Sequence, residues 1–246
     1  MKPQTELAVA LDFSTVALAE KLISDLRGLP VIYKVGLELF LSAGPDWVKR
    51  FASRGNRIFL DLKFHDIPNT VAKAVIQASG LGAEFTTIHL SGGKDMLNEI
   101  EIQMKQAEIA TSRPTSIRVL GVTVLTSFKE EAWIANVSNT AKLTAVRPLE
   151  DAVMHFASLA ASHPAVSGIV CSAKEVSMIR EKHKDLYLMV PGIRNKGEST
   201  HDQSRVMTPA EAMAAGASAI VVGRPITQAA DPRQVTESIL KEISHE

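Results

Sequence analysis

The stretch RIFLDLKFHDIPNTV, from Arg57 to Val71, begins as a short buried strand and runs straight into charge. Asp61, Lys63 and Asp66 place two carboxylates and an ammonium within six residues, directly behind the apolar run Arg57 to Leu60. Beyond them, helical spacing takes over from Thr70 to Ser79. A buried strand, a charged exit and then a helix make up one βα unit.

The same unit recurs along the chain. Runs rich in Val, Ile and Leu lie at Leu7 to Leu11, Val31 to Val35, Arg57 to Leu60, Phe85 to Leu90, Ile117 to Val124, Gly168 to Cys171, Leu186 to Val190 and Ala217 to Val222. Helical spacing fills Thr15 to Leu26, Pro45 to Arg54, Thr70 to Ser79, Lys94 to Ala110, Leu149 to Ala161, Pro209 to Ala215 and Pro232 to Ile243. Near-continuous apolar strands, each followed by a helix, predict a parallel sheet covered on its faces. Eight units predict an α/β chain closed into a (β/α)8 TIM barrel, a single domain over residues 1–246. A doubly wound open sheet shares the alternation, but no Gly-x-Gly-x-x-Gly follows the first strand. The polar, weakly periodic stretch Lys129 to Thr144 is expected to cap the barrel mouth.

Composition narrows the partners. At 246 residues and 46% hydrophobic, the chain can bury one large core. Its 27 basic and 27 acidic residues cancel, so no global field recruits nucleic acid or a membrane surface, and any anion must be held locally. A single cysteine, Cys171, excludes an intrachain disulfide and fits a reducing compartment. The run Leu7 to Leu11 is broken by Asp12 and is too short for a signal-peptide core, which predicts a cytoplasmic protein.

In such a barrel the chemistry sits at the carboxyl ends of the strands. Asp12 ends the first strand, Lys34 lies late in the second, Asp61 and Lys63 end the third, and Arg224 follows the eighth. Asp61 and Lys63 are two apart, so strand alternation sends both side chains the same way, and Lys34 and Asp12 reach that space from neighbouring strands. The result is an alternating array of lysine and aspartate. The plainer alternative is an ion-pair network at the rim. Four convergent charges on three adjacent strands favour a functional site.

Across the mouth, Pro191-Gly-Ile-Arg194 and Gly223-Arg224-Pro225 follow the last two strands. Glycines permit close backbone approach, and guanidinium forks suit a phosphate dianion. His65 and His89 lack any metal-binding spacing and are expected to be hydrogen-bonded residues behind the site.

These residues resemble a known family. DLKFHDIPNTV at 61–71 is similar to the signature of the orotidine 5'-phosphate decarboxylases. VALDF at 9–13, YKVGLELF at 33–40, TVLTS at 123–127, VPGIR at 190–194, DQSRVMTP at 202–209 and VVGRPIT at 221–227 resemble that family's other motifs, in order and from end to end of the chain.

The resemblance implies a (β/α)8 barrel that converts orotidine 5'-monophosphate to UMP and CO2 with no cofactor and no metal. It implies that Asp12 contacts the ribose, that Lys34 contacts the ribose and Asp61, and that Lys63 donates the proton. Asp66, Ile67 and Thr70 would be lent to a neighbouring subunit in a homodimer with shared active sites. Thr126, Pro191, Arg194, Gln203, Gly223 and Arg224 would hold the base and phosphate. The motif context leaves open whether Thr126 or Ser127 meets the base.

Two alternatives stand beside this reading. A magnesium-dependent 3-keto-gulonate 6-phosphate decarboxylase or hexulose phosphate synthase shares Asp-x-Lys-x-x-Asp, but the continuation His65 to Thr70 and the context of Lys34 argue against it. A noncatalytic phosphoribosyl-ligand sensor would have no need of a carboxylate facing the substrate's own.

Overall fold

In a computed structural model, which describes residues 5–112, 116–137, 149–194 and 207–244, Arg57–Phe64 is the third of eight parallel strands in a closed barrel. The strands are β1 (Glu6–Ala10), β2 (Val31–Gly36), β3 (Arg57–Phe64), β4 (Phe85–His89), β5 (Arg118–Val122), β6 (Gly168–Val170), β7 (Tyr187–Val190) and β8 (Ala219–Val222). Each pairs with the next in sequence, and β1 closes on β8 with Leu7 opposite Ile220. The open-sheet alternative is thereby excluded.

The strands read as unbroken apolar runs because both of their faces are buried. One face of each fills the barrel. Ala8, Ala10, Ile32, Phe59, Phe85, Leu120, Met189, Ala219 and Val221 form this inner cluster, in which the alanines of β1 leave room for the rings of Phe59 and Phe85, 6.2 Å apart and edge-on. The other face, including Leu7, Val9, Leu11, Ile58 and Leu60, packs against the helices.

Helices α1 (Val16–Asp25), α2 (Leu37–Ala43), α3 (Pro45–Ser53), α4 (Pro68–Gly80), α5 (Gly93–Thr111), α6 (Glu130–Val137), α7 (Leu149–Ala161), α8 (Val176–Lys182) and α9 (Pro209–Ala215) lie between the strands in sequence, and α10 (Arg224–Thr227) and α11 (Pro232–Glu242) follow β8. In α4, Val71, Ala72, Val75 and Ala78 make the buried stripe. It starts two residues before Thr70 because Pro68 sits in the first turn, where its missing N–H costs nothing. Thr208 and Glu211 cap α9 reciprocally, so the Thr-Pro that closes the DQSRVMTP motif is a helix start.

Four helices escape sequence periodicity, among them the seven-residue α8, which buries Val176 and Ile179. Helix α2 begins immediately after Gly36 and buries Leu39 while leaving Leu37 and Leu41 exposed, so no single apolar stripe marks it. Helix α10 is only four residues long. Helix α6 falls within the polar stretch expected to cap the mouth, and residues 138–148 lie outside the described part of the chain. No helix among the described residues is long and apolar enough to cross a membrane.

Candidate active site

The inner rows of the barrel lead directly to the mouth. Stepping two residues along each strand from an inward side chain takes Ala10 to Asp12, Ile32 to Lys34, Phe59 to Asp61, Met189 to Pro191 and Val221 to Gly223. All five destinations line one cavity of about 240 Å³, together with Lys63, Thr126, Arg194 and Arg224. Its walls are completed by Phe59, Val122, Val124, Leu125, Val170 and Val221, an apolar surface that sequence reasoning did not single out. Continuing the same two-residue step along β5 from Leu120 to Val122 would have found part of it.

The charges alternate as expected. Lys34 Nζ donates to Asp12 Oδ1 at 2.8 Å and stands 3.9 Å from Asp61 Oδ2. Lys63 Nζ reaches both carboxylate oxygens of Asp61 at 2.8 Å. Burial pushes the Asp61 carboxyl up, but the ammoniums of Lys63 and Lys34 and the hydrogen bonds from Lys63 and Thr87 outweigh it and hold the group below the usual carboxylate range. Asp61 is therefore an anion at neutral pH, caught between two cations.

The geometry that aims Lys63 is not plain strand alternation. Between the pairs Leu60–Thr86 and Phe64–Ile88 the chain advances four residues on β3 against two on β4, and Lys63 itself has φ +50°. A bulge with a left-handed residue, rare for a side chain of this size, turns the lysine back over Asp61.

On the far wall, Gly192 takes φ +81° and lets β7 turn sharply into the mouth. Arg194 follows it and is 7% exposed, its Nη1 donating to the Ile193 carbonyl at 2.7 Å. The Arg194 amide donates to Met207 O at 3.0 Å, which brings the start of α9 alongside. Arg224 is the first residue of α10, just past Gly223. Thr126 lines the cavity and Ser127 is exposed beside it. Gln203 lies outside the described residues.

Asp66, Ile67 and Thr70 do not line this cavity. All three are exposed, Ile67 by 67%, and Asp66 Oδ1 accepts from the Ile67 amide at 2.7 Å. His65 and His89 meet ring to ring at 5.2 Å. Burial, His65 and Lys63 all lower the His89 pKa, which keeps that ring neutral. Cys171 is fully buried, and its thiol is pushed up by burial, so it is a packing residue.

A larger depression of about 890 Å³ lies at the opposite end of the barrel, where Glu6, Arg57, Arg118, Arg180 and Tyr187 gather. Its three arginines and its tyrosine are all engaged within the protein. Arg57 bonds Glu6 and Glu84 at 2.7 Å, Tyr187 donates to Glu6 at 2.7 Å, Arg118 lies over the Tyr187 ring at 4.0 Å, and Arg180 donates to backbone carbonyls. Side chains so engaged at the amino-terminal end read as stability, whereas the smaller mouth at the carboxyl ends of the strands carries the charged array.

Residues 5–239 match the family described as orotidine 5'-phosphate decarboxylase / HUMPS family. The orotidine 5'-phosphate decarboxylase of Moorella thermoacetica is 41% identical, with 99% of this chain and 94% of that protein aligned. That of Nitratidesulfovibrio vulgaris is 43% identical, with 97% of each chain aligned. The crystal structure of the Lactobacillus acidophilus orotidine 5'-phosphate decarboxylase superposes with a TM-score of 0.80 at 34% identity, covering 99% of this chain and 100% of that one. The chain belongs to the orotidine 5'-phosphate decarboxylase / HUMPS family.

Proposed function

With membership of that family as the premise, we propose that the chain is a cofactor- and metal-independent orotidine 5'-phosphate decarboxylase in which Lys63 protonates a carbanion at C6. The activity is that of a carboxy-lyase of UMP biosynthesis. The observation that carries the reading is the largely buried Asp61 carboxylate, gripped by Lys63 at 2.8 Å and faced by Lys34 at 3.9 Å, on the floor of the mouth.

Heterolysis of the bond between C6 and the carboxylate releases CO2 and leaves the electron pair in an sp2 orbital at C6, where no adjacent carbonyl delocalises it. Fixed charge has to stabilise that pair. The Lys63 ammonium, held by Asp61, lies where negative charge develops and then gives its proton to C6, forming UMP. Asp61 also faces the departing carboxylate. Two unit charges about 4 Å apart at an effective dielectric near 20 repel by roughly 4 kcal/mol. Large enzymatic accelerations reach about 23 kcal/mol, so carbanion stabilisation and remote binding of the phosphate supply much of the remainder.

Asp12 and Lys34 hold the ribose, and Thr126, Pro191, Arg194, Gln203, Gly223 and Arg224 hold the base and phosphate, Thr126 being favoured over Ser127 because it lines the cavity. Apolar Val122, Val170 and Val221 shape the slot for the pyrimidine. The whole chain acts as one barrel domain, and the lone buried thiol fits a cytoplasmic enzyme.

The working unit is a homodimer with shared sites. Asp66, Ile67 and Thr70 are exposed and do not line their own cavity, and exposed Leu37, Leu41 and Ile67 follow the adjacent strands β2 and β3 at the mouth. Such an apolar rim is suited to burial against a second copy. There the partner's copy of residue 66 would flank the ammonium of Lys63.

The test is loss of orotidine 5'-monophosphate absorbance with excess chelator present. Turnover is expected to be unchanged after exhaustive chelation. A strict requirement for added magnesium would indicate instead a sugar-phosphate decarboxylase of the same superfamily.

A further inference from the structure

Thr87 lies on β4 behind the reactive array, and it is fully buried. Its hydroxyl is occupied on both sides. The backbone N–H of Lys63 donates to Thr87 Oγ1 at 2.9 Å, and the same oxygen lies 2.9 Å from Asp61 Oδ1. The directions are forced. An amide N–H can only donate and an ionised carboxylate can only accept, so the hydroxyl proton points at Asp61.

This one group therefore ties together the two halves of the Lys63–Asp61 pair. It receives the amide of a lysine held at φ +50°, at the bulge where the register of β3 slips against β4. With the same atom it fixes the rotation of the carboxylate whose two oxygens seat the Lys63 ammonium. Both the backbone from which the lysine springs and the seat into which it drops are referenced to a single rigid point on the next strand.

Resting on the decarboxylase reading above, we propose that Thr87 is a positioning residue for the proton-transferring lysine, setting the angle of the Asp61 carboxylate and the left-handed backbone of Lys63 together. It touches neither substrate nor product. Its effect belongs to kcat, because a misplaced ammonium leaves ribose and phosphate binding as they are while spoiling the alignment on C6.

The test is Thr87→Val, which keeps the branched shape and removes the hydroxyl, compared with Thr87→Ser, which keeps the hydroxyl. Thr87→Val is expected to lower kcat by about 10- to 100-fold, with KM and UMP affinity within about threefold of wild type. Thr87→Ser is expected to stay within about threefold of wild type on all three measures. If Thr87→Val does not fold, Thr87→Ala carries the same expectation with Thr87→Ser as its control. A wild-type kcat without the hydroxyl, a matching loss in Thr87→Ser, or a parallel loss of UMP binding would overturn the proposal. Wild-type protein inactive on orotidine 5'-monophosphate would instead overturn the decarboxylase reading itself.

Discussion

The Lys63 ammonium stands 2.8 Å from each carboxylate oxygen of Asp61, although a plain β-strand does not bring residues two apart into such a grip. The bulge in β3 makes it possible, and the contact fixes what each group can do. The Asp61 carboxyl is held below the usual carboxylate range, and the Lys63 side chain is seated on both of its oxygens.

Lys63→Ala should nearly abolish turnover while leaving the fold intact. The side chain is 34% exposed and contributes little apolar burial, so the loss is chemical rather than structural. Turnover by direct spectroscopy and the melting temperature check the two halves. A variant keeping even about a tenth of wild-type turnover would remove Lys63 as proton donor, since general acid catalysis alone contributes at least about 100-fold.

Asp61→Asn should reveal a pH-dependent share of stability. The folded-state pKa of Asp61 lies below its unfolded value, so ionisation favours the native state. That contribution is fully present above the unfolded pKa of about 3.9 and is lost as pH falls through the lower folded value. The melting temperature of wild type minus that of the variant should therefore shrink as pH is lowered from about 5 toward 3. A difference constant across this range would mean that Asp61 is not held as a depressed carboxylate.

Arg224→Ala should lower kcat/KM on the nucleotide by roughly 100-fold or more and scarcely change the rate on the dephosphorylated nucleoside. Arg224 opens α10 at the cavity wall, across the mouth from Lys63, and only the nucleotide offers it a group to grip. Equal losses on both substrates would show that the arginine supports the loop rather than the phosphate.

Mixing Lys63→Ala with Asp66→Asn should restore activity that neither variant has alone. If residue 66 crosses a twofold interface, each heterodimer holds one doubly altered site and one intact site. Random reassortment of equal amounts makes about half the dimers mixed, so roughly a quarter of all sites and of wild-type activity return. Subunit exchange is checked by mass. Activity that stays at the level of the separate variants after exchange would place Asp66 in the site of its own subunit.

Much of this protein was legible before its structure. Eight apolar runs separated by helical spacing specified a (β/α)8 barrel, because strands buried on both faces leave a continuous hydrophobic signature whatever surrounds them. Strand ends then indicated the mouth, and Asp12, Lys34, Asp61, Lys63, Arg194 and Arg224 all line it. Pairing across strands was another matter. Thr87 reads locally as an ordinary β-branched residue in a buried strand, and its partner Asp61 is 26 residues away. The slipped register of β3 and the left-handed turn at Lys63 likewise leave no local mark, since alternation alone already predicted that Asp61 and Lys63 would face the same way. Side-chain period and burial are properties of a segment and are written in its own residues. Register, bulges and hydrogen-bond partners are set by competition among neighbouring strands as the barrel closes, and they exist only once those strands are packed together.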